Sequence, residues 1–230
     1  LGAVSGTSGG YWAYPSQMTL VEDGVDVEIS RDGLLANLRE ADEVAPLQDW
    51  ALALFEHRQR RHLRDDPQYL DCKPPGGPRQ YQSNLGFQLI EDRANERVFV
   101  LMGSGNHNYR VIYLDGREQI GQVTGDDDNP LYFGRSTGAW DGDTLVVDTT
   151  HLEPSTLTNN GLYHSDQMHV IERFKLIDDG QTLIASQEYE DPVMFTNRGV
   201  RYITWTKHDD YIYPYECDPT FALEYGAAEE

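Results

Sequence analysis

The chain has 230 residues, 39% of them hydrophobic and 11% aromatic, which is enough to bury one full core and fits one β barrel or sandwich better than two domains. Its net charge of -21, from 39 acidic against 18 basic residues, repels phosphate backbones and anionic headgroups, so nucleic acid is not an expected partner. Apolar runs such as Leu145 to Val147 fall far short of the roughly 18 to 20 residues that a membrane-crossing helix needs, so no membrane insertion is expected.

No charged-then-apolar signal segment opens the chain at Leu1, as expected of a mature exported protein whose signal peptide has been removed. Leu1 to Gly10 is rich in Gly and Ser without periodicity, and residues 1–14 read as a flexible N-terminal segment that orders only on contact. Residues 15–230 read as a single barrel domain. Tyr11, Trp12 and Tyr14 begin the first strand, which Pro15 confines to an edge. A helix is expected over residues 46–62: Pro46 suits its first turn, and Leu47, Trp50, Ala51, Leu54 and Phe55 repeat at helical spacing. Asp65-Asp66-Pro67 ends it, and Lys73 to Arg79, with its Pro and Gly, reads as a loop.

From Leu85 onward the pattern is strands: 87–91, 97–102, 109–114, 132–140, 144–150, 166–177, 183–191, 200–207 and 211–215. Consecutive strands on short links predict an antiparallel up-and-down meander. The expected fold is therefore all-β, an antiparallel barrel of about eight to ten strands, lipocalin-like, with the N-terminal helix packed outside. Asp179-Gly180 predicts a type I′ turn that sets Phe174 opposite Ala185, Glu172 opposite Gln187 and Val170 opposite Tyr189. In that register Glu172, Gln187, Tyr189 and, by strand parity, Asp166 face inward with the apolar side, whereas His169 and Arg173 face out. A second turn at Asp141-Gly142 predicts Arg135 opposite Asp148 as a cross-strand ion pair.

Cys72 and Cys217 are the only cysteines, each in a Pro-flanked stretch and neither at metal spacing. One disulfide between them is expected. It would close a loop of about 145 residues, for which chain entropy gives up to roughly 5 kcal/mol.

The densest titratable cluster is His164, Asp166, His169 and Glu172. His164 and Asp166 together suit general acid or base work, the carboxylate fixing the tautomer of the imidazole; Glu172, roughly 20 Å along the strand from Asp166, is a further catalytic candidate. Arg110, Arg117, Arg135, Asp148, Gln187 and Tyr189 are inner polar candidates that either satisfy one another or meet a polar ligand, and Trp140 at a hairpin tip could line the mouth. A metal would need Asp148 or His107 to join His164 and Asp166, and Asp126-Asp127-Asp128 lacks the later Glu of a calcium loop; no metal and no cofactor are assigned. No G-x-S-x-G, phosphate loop or dinucleotide fingerprint occurs.

The block Gly138-Ala139-Trp140-Asp141-Gly142-Asp143-Thr144-Leu145-Val146-Val147-Asp148-Thr149, followed by His164-Ser165-Asp166-Gln167-Met168-His169-Val170-Ile171-Glu172-Arg173-Phe174, resembles a family of uncharacterised bacterial exported proteins. The resemblance runs from about residue 45 to about residue 220, taking in Cys72-Lys73-Pro74-Pro75-Gly76 and Asp191-Pro192. It implies export, to a bacterial periplasm or the exterior, and a shared fold, but no mechanism. The function expected is binding of a small, partly apolar molecule, with acid/base turnover of isomerase, lyase or hydrolase type. The alternative is an assembly or surface component in which residues 1–14 pair with a neighbouring subunit by strand addition.

Overall fold

The computed structural model describes residues 3–5, 19–21, 45–61, 66, 68, 72–82, 86–103, 108–118, 131–157, 161–207, 218 and 220. The expected strands at 11–14 and 211–215, His107, the acidic turn at 126–128 and Cys217 lie outside them. Along the chain the described elements are β1 (Ala3–Ser5), β2 (Thr19–Val21), helix α1 (Asp49–Arg61), a 3-10 helix (Gly77–Gln82), β3 (Phe87–Asp92), β4 (Arg97–Met102), β5 (Tyr109–Tyr113) and β6 (Arg135–Asp141). There follow β7 (Thr144–Thr150), β8 (Ser155–Thr156), β9 (Tyr163–His164), β10 (His169–Ile177), β11 (Thr182–Glu190) and β12 (Arg198–Lys207).

Ten of these strands form one curled sheet in the order β1-β3-β4-β5-β6-β7-β10-β11-β12-β2, and β1 bonds to β12 as well as to β3, which draws the ends together into a barrel-like wall. The all-β, antiparallel, barrel-like fold with one helix is therefore the architecture. Besides β2, which pairs with β12 rather than with β1 or β3, one pairing departs from the up-and-down pattern: β5 and β6 run parallel, with Ile112 opposite Ser136. A parallel neighbour requires a crossover rather than a tight turn, and the long stretch between Tyr113 and Arg135 supplies one where short links were expected. β8 and β9 form a separate two-stranded ribbon.

Alternation decides which side of each strand is buried. In β4, Val98, Val100 and Met102 are buried while their neighbours are half-exposed; in β10, Val170, Glu172 and Phe174 are buried. β11 is buried along nearly its whole length, the mark of a strand covered on both faces. On its outer side Ile184 packs with Val200 and Tyr202, and Glu188 there bonds both Arg173 and Arg198.

The first hairpin has the expected register throughout, with Glu172 opposite Gln187 and Val170 opposite Tyr189. Asp178, Asp179 and Gly180 all take positive φ, and Gly180 N donates to Ile177 O and Gln181 N to Asp178 O, so the tip is two overlapping left-handed turns rather than the single type I′ turn expected, and the register is the same. The second hairpin is displaced. Arg135 faces Thr150, and Asp148 faces Thr137, so Arg135 and Asp148 are not directly opposite but diagonal on one face. The sequence Asp141-Gly142-Asp143 offers two overlapping turns, and the chain uses Gly142-Asp143, with Gly142 alone at φ +61, the signature of type II′.

The largest departure concerns the stretch read as a loop. Pro74-Pro75-Gly76-Gly77 leads into the 3-10 helix, which runs inside the barrel as a plug: Arg79, Gln80 and Tyr81 are all buried. Tyr81 packs edge-on to Phe87, with ring centroids 4.9 Å apart, and lies against Phe174 and Trp205. These residues belong to the lower apolar core with Leu89, Val100, Ile112, Leu145 and Ile203. Gly76 makes the entry possible, because at φ +72 an added Cβ would sit 3.0 Å from Tyr132.

α1 covers the other end of the barrel. It begins at Asp49, so Pro46 precedes the helix, where its carbonyl accepts from Thr196 N. Ala51 and Phe55 bury into an upper cluster with Leu152, Leu157, Leu162, Met168, Val170, Tyr189, Met194 and Phe195, while Trp50 is exposed. Gly134 marks a tight approach nearby: at φ +66, an added Cβ would lie 2.6 Å from Thr150 O. Gly134→Ala is expected to cost about 2–4 kcal/mol, from left-handed backbone plus overpacking. Gly142→Ala, with open space around it, is expected to cost only about 1–2 kcal/mol. Urea midpoints of the two variants check both the close approach and the turn assignment.

Candidate functional site

Between the two apolar clusters lies a buried polar layer. Arg110 on β5 is its hub: Nε donates to Ser136 Oγ at 2.9 Å, Nη1 to Tyr81 Oη at 2.9 Å and Nη2 to Thr149 Oγ1 at 2.6 Å. Nη2 also lies 2.6 Å from Glu172 Oε2. That last contact is one of charge more than of alignment, since Oε2 has no well-directed donor. Gln187 Nε2 donates to Glu172 Oε1 at 2.9 Å and to the Pro78 carbonyl of the plug at 3.3 Å, and Tyr189 Oη donates to Gln187 Oε1 at 2.7 Å. Burial opposes the Arg110 charge, but Glu172 and Tyr81 more than offset it, so the guanidinium is held more firmly protonated than in water. Burial also pushes the Tyr81 and Tyr189 phenols well up, so both stay neutral donors.

Arg110, Glu172, Gln187 and Tyr189 thus face inward as parity requires, and they satisfy one another. Glu172 is the buried counter-ion of Arg110. The remaining candidates scatter. Arg117 is exposed and bound to Asp115 beside it, stacked 3.8 Å over the Tyr113 ring. Arg135 is buried on the outward side of β6. Asp148 is half-exposed on the outer face and accepts from His169 Nε2 at 3.0 Å. Trp140 is exposed at the tip of the second hairpin.

Asp166 does not face inward. β10 begins at His169 rather than at Asp166, and the turn before it leaves Asp166 exposed, because strand parity cannot be extended through a turn. Asp191 takes the structural role instead, accepting from Ser165 N at 2.7 Å and Ser165 Oγ at 2.8 Å and from the Val193 and Met194 amides.

His164 is 3% exposed and sits in a second polar group near the end covered by α1. Its Nδ1 lies 3.0 Å from the Ser165 carbonyl. A carbonyl only accepts, so Nδ1 carries the proton, and in the neutral ring Nε2 keeps its lone pair. Burial holds the ring's pKa below its ordinary value, with Arg79 acting in the same direction against Ser165 and Asp191. Directly opposite His164 across the β8 and β9 ribbon is Ser155, whose Oγ is 3.3 Å from Tyr132 Oη. Burial raises the Tyr132 phenol as well, which keeps it protonated. Beneath lie Arg79 and Asp66, joined by two hydrogen bonds of 2.9 and 2.6 Å. At the rim Lys73 bonds Glu153 at 3.1 Å, and Arg58 of α1 stacks 4.8 Å over the Tyr163 ring. Asp66, Arg79, Tyr132, Ser155 and Asp191 carry no motif in the sequence; the one local signal, the Pro- and Gly-rich run before Arg79, reads as a loop.

The two histidines should titrate stability in opposite senses. His164, with its folded pKa lowered, gives a contribution fully present above its unfolded value near 6.5 and lost as pH falls through the folded value. His169, raised chiefly by its hydrogen bond to Asp148, contributes stability that is present below that value and lost as pH rises through the folded one. His164→Gln is expected to flatten the acid-side decline of the urea midpoint, and His169→Gln the decline above neutrality. Midpoints measured from about pH 4 to 9 decide, and an unchanged acid limb in His164→Gln would refute the assignment.

Among the described residues no group of three His, Cys, Asp or Glu side chains is placed to hold a metal, and no helix is long and apolar enough to cross a membrane. Comparison with protein-family models, with curated proteins and with solved structures finds no match to this chain.

Proposed function

We propose that this is an exported barrel that binds a small, partly apolar molecule at the end covered by α1 and the plug, and that His164 acts there as a general base. The observation that carries the reading is the buried imidazole whose Nδ1 is tied to the Ser165 carbonyl and whose pKa burial holds down, which leaves Nε2 as the basic nitrogen. A buried base of this kind abstracts a proton without first shedding one to water. Tyr132, kept protonated, and Ser155 supply donors for the developing negative charge on a carbonyl oxygen, and the upper apolar cluster supplies the walls. Isomerisation, elimination and hydrolysis all begin with such a proton abstraction, from carbon or from water.

The test is a panel of enolisable ketones, small esters and lactones assayed with the wild-type protein and His164→Gln. Turnover is expected to fall roughly 10²- to 10⁴-fold in the variant, with the wild-type rate rising with pH through an apparent pKa below 6.5. A variant as active as the wild type on every compound turned over ends the base assignment.

Export rests on a disulfide between Cys72 and Cys217. Its support is that no free cysteine occurs among the described residues, and that Cys72 is buried at the start of the plug, in left-handed backbone at φ 52, where a crosslink would pin the plug in place. Thiol titration of the unfolded, unreduced protein is expected to find no free thiol; two would remove both the clasp and the argument for an oxidising compartment. The assembly reading draws support from β1, which fills the position between β3 and β12 that a neighbour's strand could equally fill. Gel filtration with and without residues 1–14 tests it: a monomer in both cases ends it.

A further inference from the structure

Arg201 is a buried arginine that the polar layer does not explain. It is 6% exposed on β12, directly opposite Gln187 on β11, and so shares the inward face of Gln187 and Tyr189. Its charge acts on the nearby Tyr189 phenol, but its Nη1 has no partner among the described residues. The other arginines of the interior differ: Arg79 holds Asp66 and Arg110 holds Glu172, each within 2.6 Å, whereas no carboxylate pairs with Arg201 among the described residues. A second unpartnered group belongs to the plug. Gln80 is 1% exposed, and neither its amide nitrogen nor its amide oxygen has a partner among the described residues. It lies two residues beyond Pro78, whose carbonyl bonds the same Gln187 that faces Arg201.

We propose that Arg201 seats the carboxylate of a ligand inside the barrel. A desolvated guanidinium without a counter-ion costs free energy that an anion restores, and its fork matches a carboxylate. The protein's net charge of -21 repels polyanions, and Arg201 balances one negative charge, so the group is singly charged. The barrel interior is otherwise apolar and aromatic, with Tyr81 in one core cluster and Tyr189 in the other, which calls for an apolar body behind it. The ligand class is therefore a hydrophobic monocarboxylic acid. This deepens the small-molecule reading above and rests on it, but it does not depend on His164 being a base.

Two measurements test it. The first needs no ligand: Arg201→Met is expected to unfold at a higher urea concentration than the wild type, because the substitution removes a buried unpaired charge. A lowered midpoint, like that expected for Arg110→Met, would show the guanidinium already satisfied and would overturn the proposal. The second is calorimetric titration with phenylacetate against phenylacetamide and octanoate against octanamide. The wild-type protein is expected to bind each acid at least tenfold more tightly than its amide, and Arg201→Met to lose that preference. Equal binding of acid and amide overturns the carboxylate seat and leaves the small-molecule reading intact. A preference that persists in Arg201→Met also overturns the seat, and binding of none of the four overturns both readings.

Discussion

Replacing Glu172 with alanine is expected to destabilise the protein by about 3–5 kcal/mol, seen as a lowered urea midpoint at unchanged slope. The reason is the charge left behind. Arg110 is 2% exposed and Glu172 is fully buried, so truncation strands a guanidinium away from water with only hydroxyl partners from Ser136, Tyr81 and Thr149. It also removes the acceptor of Gln187 Nε2, and with it part of the tie between β11 and the plug. Arg110→Met should cost a similar amount by stranding the carboxylate. The double variant Arg110→Met with Glu172→Leu removes both charges, and it should lie closer to the wild type than either single variant. A loss below about 1 kcal/mol in Glu172→Ala would mean that water reaches the pair.

Which parts of this interior could be read from the sequence follows from how local their determinants are. The inward placement of Glu172, Gln187 and Tyr189 was legible because an Asp-Gly turn fixed the register and period-2 alternation carried it along both strands. The same reasoning failed one hairpin earlier, where Asp141-Gly142-Asp143 contains two competing turns and the chain adopts the second. It failed again at Asp166, where parity was carried across a turn that interrupts the strand. Arg201 could have been found: extending the register one strand further sets it opposite Gln187, already an inward residue. The plug could not. Prolines and glycines next to an arginine describe a surface loop by every local rule, and only contacts distant in sequence, Gln187 to Pro78 and Arg110 to Tyr81, draw it inside.

Those distant contacts make the plug a separate test of the architecture. Asp66→Asn is expected to loosen residues 72–82 before the rest of the barrel, raising amide exchange there by one to two orders of magnitude. Arg79 and Asp66 are both buried, and their paired hydrogen bonds give Arg79 its counter-charge. With asparagine one oxygen acceptor remains and the charge does not, leaving a buried cation worth about 3–5 kcal/mol of destabilisation. Much of that can be relieved by local opening, because the plug is a short 3-10 helix held by few backbone bonds, whereas the sheet ladders are continuous. His164 provides an independent signal. Arg79 helps to hold its pKa down, so departure of the plug should move the imidazole upward towards its solution value. An Asp66→Asn protein in which exchange at 72–82 and the His164 titration are both unchanged would show that the plug is fixed by its Tyr81 packing alone.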